Sequence, residues 1–249
     1  MEVHHHSHSN DQGHKKKWIH YFYEFLMLFL AVFCGFLAEN IRENSVERHR
    51  EKEYILSMIE DLKTDTTNIN AHAVYRKDRR HRLDSLTLML KLPDYSNYTG
   101  LIYYYARWVP RTTFFNSTDR TIQQLKNAGG MRLITNHVAS DAIMAYDAQV
   151  KIVNTQSYSL EGEAVVNYIH MMNSIFDGNV LDEMYGDSLL SKPNGNPPFL
   201  TNDKQKFNEL ITQLHFIKSL NNRNIYFENK LKMQAASTIQ VLKNEYRPE

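Results

Sequence analysis

The chain has 249 residues, a formal net charge of +1 and 42% hydrophobic residues. Near-neutral charge removes the electrostatic basis for nucleic-acid binding. The single cysteine, Cys34, excludes internal disulfides and paired-cysteine metal sites. Nine glycines and six prolines are few, which suits long helices over a β-sandwich.

Residues 1–17 form a polar tail expected to be disordered. Its histidines, His4, His5, His6, His8 and His14, offer no fixed geometry for a metal, and no metal or cofactor is expected. Residues 18–38, WIHYFYEFLMLFLAVFCGFLA, follow. At about 1.5 Å per residue they extend roughly 31 Å, enough to cross a hydrocarbon core. Trp18, Tyr21 and Tyr23 suit the headgroup zone. A cleaved signal peptide is the alternative, but Phe36 is a poor −3 residue for cleavage after Ala38. Lys15–Lys17 directly before the span favours an inside N-terminus and an outside C-terminal domain. Glu24, Ala31, Gly35 and Ala38 share one face, and small residues there let a second helix approach closely. Glu24 lies in that seam or pairs with His20 one turn back.

Residues 39–53 read as a charged helical stalk, and residues 54–249 as a soluble helical bundle. A helix over 39–91 carries a seam at Ile55, Ile59, Leu62, Thr66, Ile69, Ala73, Arg76, Arg80, Leu83, Thr87 and Leu90. Leu92-Pro93 ends it. Residues 94–100 are a loop, and the aromatic run 101–109 is assigned to a helix. Ser117 or Thr118 is expected to cap a helix through residue 128 that Gly129-Gly130 terminates. Asn136 caps a helix over 137–172, apolar at Val138, Ile143, Tyr146, Val150, Val153, Leu160, Val165 and Ile169, with Gly162 as a possible interruption. Turn residues mark a loop insertion near 176–199. Thr201 or Asn202 caps the last helix, whose seam runs from Phe207 to Leu242.

Both long seams are apolar at their ends and polar in the middle, with Arg76 and Arg80 in one and Asn221, Asn224 and Glu228 in the other. Antiparallel packing brings these middles together. One reading is an internal salt-bridged layer with Glu228 as the acid. The sharper one is a ligand site at Arg76, Arg80, Tyr104, Trp108 and Glu228.

Three segments resemble a Bacteroidetes family of single-span proteins of unknown function. They are EFLMLFLAVFCGFLAENIRE (24–43), KEYILSMIEDLKTD (52–65) and, more loosely, QQLKNAGGMRLITNHVASDAIMAYD (123–147). The resemblance implies a membrane-bound helical protein of the bacterial inner membrane and no particular activity. Its motif positions Glu24, Glu39, Asn40, Arg42 and Glu43 straddle the span.

No His-Glu-x-x-His, Gly-x-Ser-x-Gly or phosphate-loop pattern occurs, so no enzyme is expected. The expected architecture is all-α: one transmembrane helix, a stalk and an antiparallel bundle. The expected role is that of an interaction or scaffold protein assembling through its span and stalk, with the bilayer, a second copy or another membrane protein as partner. An extracytoplasmic small-ligand module is the alternative, and an enzyme of unrecognised type the second.

Overall fold

From residue 36 to residue 92 the sequence contains neither glycine nor proline, so nothing local interrupts a helix. The computed structural model describes residues 12–127, 129–185 and 190–246, with side chains from Trp18 onward. Among these, the protein is all-α. Its first helix, α1, runs Gln12–Leu90. There follow α2 (Thr99–Trp108), α3 (Arg120–Asn127), α4 (His137–Asn154), α5 (Gly162–Met172), α6 (Gly178–Glu183) and α7 (Lys204–Tyr246). His14 already lies in α1, so the tail is helical from Gln12 rather than disordered throughout. His4, His5, His6 and His8 lie outside the described residues.

The chain divides into two units, Met1–Glu53 and Tyr54–Glu249. In the first, the apolar side chains of the span are exposed on every face, from Trp18 to Leu37. This helix is long and apolar enough to cross a membrane.

The second unit is a bundle in which α1 from Tyr54 onward lies antiparallel to α7. Asp84 pairs with Lys218, Arg76 with Asn221 and Glu228, and His72 with Glu228, so numbers fall along one helix as they rise along the other. The core has two apolar halves. Leu83, Leu86 and Leu90 pack with Leu210, Leu214 and Ile217 in one; Ile55, Leu62 and Ile69 pack with Leu231, Ala235 and Leu242 in the other.

The seam of α7 is as expected: Phe207 to Leu242 are buried at every assigned position. The seam of α1 is half right. Ile55, Leu62, Ile69, Arg76, Leu83 and Leu90, one per heptad, point inward. In the second row Ile59 is buried as expected, but further along Asp65, Arg79 and Leu86 are buried where Thr66, Arg80 and Thr87 were expected. Arg80 is exposed and faces Asp84 at 3.8 Å. Asp65 is charged, so a pattern built on apolar residues selects its neutral neighbour Thr66, whereas Arg79 and Arg80 are alike in charge and only the phase of the seam separates them.

Helix caps are also partly tertiary. α3 opens at Arg120, two residues after Thr118, and carboxylates of α1 meet its N-terminal end: Asp61 in its first turn and Asp65 in the segment leading into it. Thr121 N donates to Asp61 Oδ2 (3.1 Å) and Thr118 N to Asp65 Oδ1 (2.6 Å), which places negative charge at an open helix N-terminus. Asn136 caps α4 as expected, accepting from Ala139 N at 3.1 Å. For α7 the cap is Asp203, which accepts from Gln205 N at 2.8 Å, not Thr201 or Asn202.

The insertion near 176–199 is not simply a surface loop. It contains α6, and Phe176 and Phe199 pack against Tyr103. Tyr103 Oη accepts from Asp177 N (2.9 Å) and donates to Pro198 O (3.0 Å), tying both ends of the insertion to α2. Gly186, one of its turn residues, lies outside the described residues.

Asp65 gives a pH signature to this packing. Burial raises its pKa above the ordinary aspartate range, against the lowering effect of hydrogen bonds from Tyr146 Oη and Thr118. A raised native pKa means that the folded state holds the proton more tightly than the unfolded chain. The stabilising contribution is therefore complete below the unfolded pKa of about 3.9 and is lost as pH rises through the native value. Asp65→Asn removes this titration. Urea midpoints measured from about pH 3 to about pH 7 are expected to move in favour of the variant relative to wild type as pH rises. A constant difference across that range would contradict the assignment.

Candidate functional site

Between the two apolar halves lies a buried ionic layer. Arg76 on α1 is completely buried. Its Nη1 donates to Glu161 Oε2 at 2.6 Å, and its Nε to Glu228 Oε1 at 3.3 Å. Asn221 accepts from Arg76 Nη1 and donates to the Arg76 carbonyl at 3.2 Å. Asn224 donates to Glu161, and Thr112 Oγ1 donates to Glu161 Oε1 at 3.2 Å. His72 bridges Glu228 Oε2 (3.0 Å) and the Thr113 carbonyl (3.1 Å). Arg79, also buried, places Nη2 3.3 Å from Glu161 Oε1 and donates from Nη1 to the Val109 carbonyl at 2.8 Å. Two guanidiniums thus face two carboxylates, which is what removing such groups from water requires.

Glu161 reaches this layer through a local irregularity. Residues Thr155–Glu161 form a π-helical stretch between α4 and α5. Val153, Ser157, Glu161 and Val165 are all buried at four-residue spacing. On an ideal α-helix each such step drifts about 40° around the axis. The wider π turn takes up that drift and keeps Glu161 inward. Three of the apolar positions named over 137–172, Val138, Leu160 and Ile169, are exposed. Gly162 does not interrupt the helix; it opens α5.

The expected site residues separate into three places. Arg76 and Glu228 meet inside the ionic layer. Arg80 stands outside it on the surface. Tyr104 and Trp108 are half-buried on α2, with ring centroids 6.3 Å apart. Trp108 lines a cleft together with Tyr75, Arg79, Arg82, Tyr105 and Arg111. Its empty volume is about 390 Å³, including the open mouth. Arg82 and Arg111 lie over the Trp108 ring, 4.0 and 5.2 Å from its centroid. Tyr75 Oη donates to the Arg111 carbonyl and accepts from Thr113 N, each at 3.0 Å, holding the segment after α2 against α1.

Sequence reasoning missed Arg79, Arg82, Arg111 and Glu161. The run Arg76, Arg79, Arg80, Arg82 was visible, but which of its members turn inward depends on the phase of the seam. In the span, Glu24 Oε1 lies 3.5 Å from His20 Nε2, the pairing one turn back. A methyl added at Gly35 would meet nothing within 4 Å. Among the described residues, no three His, Cys, Asp or Glu side chains gather where they could hold a metal ion. Comparison with family models, curated proteins and solved structures finds no match to this chain.

Proposed function

We propose that this chain is a membrane-anchored helical interaction protein, not an enzyme, that assembles through its span with a second copy or another membrane protein. The observation that carries the reading is the contrast in burial. The bundle closes its core on itself, whereas no side chain from Phe25 to Ala38 is buried. Such a surface is stable only in lipid or against another apolar helix. On it, Ala31, Gly35 and Ala38 provide the close-approach face, and Glu24 is the ionisable group a partner would shield. Membership of the Bacteroidetes single-span family, an inner-membrane location and a periplasmic bundle belong to the same proposal, supported by residues 24–43 and by Lys15–Lys17.

Full-length protein is expected in the carbonate-washed membrane pellet, with a cross-linked oligomer or hetero-complex. Gly35→Leu is expected to lower the cross-linked fraction at least about tenfold while leaving the pellet fraction unchanged, because bulk on the seam prevents close approach. An unchanged cross-linking pattern in both Gly35→Leu and Glu24→Leu would remove the seam. Recovery of the full-length chain in the aqueous fraction would remove the anchor.

A second reading, a small-ligand module, is favoured by one observation. Within the cleft residues, Arg79 Nε, Arg82 Nη1 and Trp108 Nε1 are buried donors without a protein acceptor.

A further inference from the structure

We infer that the cleft between α1 and the end of α2 binds a small monoanionic carboxylate with a flat apolar body; this rests on the small-ligand reading above. The charge balance points to the anion. Glu161 and Glu228 answer Arg76 and Arg79 within the ionic layer. Asp78 Oδ2 accepts from Arg82 Nε at 2.8 Å. Arg111 is left over: its guanidinium is exposed, lies over Trp108 and has no carboxylate partner among the described residues. The cleft therefore carries about one surplus positive charge, which suits a monoanion better than a dianion.

Hydrogen bonding points the same way. Arg79 is almost wholly buried and lines the cleft, yet its Nε has no acceptor; its Nη2 is near Glu161 but off the hydrogen-bond direction. Arg82 Nη1 and Trp108 Nε1 are in the same state. No side-chain acceptor of a cleft-lining residue is buried without a donor. A ligand that fits such a lining brings acceptors only, and a carboxylate matches the planar fork of an arginine with two of them. Asp78, held by Arg82, is the one acid of the lining; the rest, Leu83, Val109, Tyr105 and the faces of Tyr75 and Trp108, is apolar or aromatic. It suits a flat hydrocarbon body.

Trp18→Phe leaves Trp108 as the only tryptophan, so fluorescence excited at tryptophan wavelengths reports on the cleft. The full chain carrying this change, in mild detergent at fixed ionic strength, is titrated with sodium benzoate, benzamide and inorganic phosphate. Benzoate is expected to give a saturable change with a dissociation constant below about 10 mM. Neutral benzamide is expected to bind at least about tenfold more weakly, as is benzoate to the Arg111→Gln variant, since each loses a charge-assisted hydrogen bond. Arg111 is exposed, so that variant folds. If none of the three probes gives a saturable change, the proposal and the small-ligand reading fall together. If benzamide equals benzoate and Arg111→Gln has no effect, the anion is wrong while a ligand cleft stands. If phosphate binds more tightly than benzoate, the carboxylate class is overturned.

Discussion

Glu161→Ala is expected to lower the unfolding free energy by about 3–5 kcal/mol. The carboxylate is fully buried and receives hydrogen bonds from Arg76, Asn224 and Thr112, with Arg79 alongside. Its removal leaves two arginines inside with only Glu228 to answer them. Neither can lose its proton at any ordinary pH, so the charge remains and is uncompensated. Glu161→Gln keeps two polar atoms in place but not the charge, and is expected to fall between wild type and alanine. Urea unfolding of the detergent-solubilised chain, followed by circular dichroism at 222 nm, measures this, because the span stays helical in detergent and the transition belongs to the bundle. A loss below about 1 kcal/mol for Glu161→Ala would show that water enters the layer and solvates the arginines.

Gly100→Ala is expected to cost about 1–3 kcal/mol or more, although alanine is ordinarily the better helix former. Gly100 lies at the start of α2, and a Cβ there would sit 2.2 Å from the Gly195 carbonyl oxygen. That oxygen is backbone, and Gly195 itself has a left-handed φ of 66° that leaves its turn little freedom to move. Gly100 N also donates to Asn196 Oδ1 at 3.1 Å, so moving the insertion away breaks a hydrogen bond. Gly162→Ala provides the contrast. A Cβ at Gly162 meets nothing within 4 Å, and the substitution is expected to stabilise by about 0.4–1 kcal/mol through the unfolded chain. Equal melting temperatures for the two variants would show that the insertion is not held against α2.

The separation between what was legible and what was not follows from physical range. The span, the all-α class, the end of α1 before Pro93 and the whole seam of α7 were readable, because apolar periodicity and helix breakers act over a few residues. Beyond Ile59, the second row of α1 was not. Asp65 and Arg79 are inward because partners far away in sequence neutralise or bond them: Tyr146 and Thr118 for one, Glu161 and the Val109 carbonyl for the other. The carboxylates at the N-terminal end of α3 are hidden for the same reason, since Asp61 and Asp65 belong to another helix. Glu161 was hidden doubly, by its charge and by the π turn that carries it inward.

By itself, the sequence determined that this protein is helical and that residues 18–38 are apolar enough for a membrane. It also placed polar residues midway along both long seams. Only the tertiary structure decided which arginines those polar residues receive and which are left facing the cleft. Burying a charge is stable only when its partner arrives with it, and that partner comes from another helix.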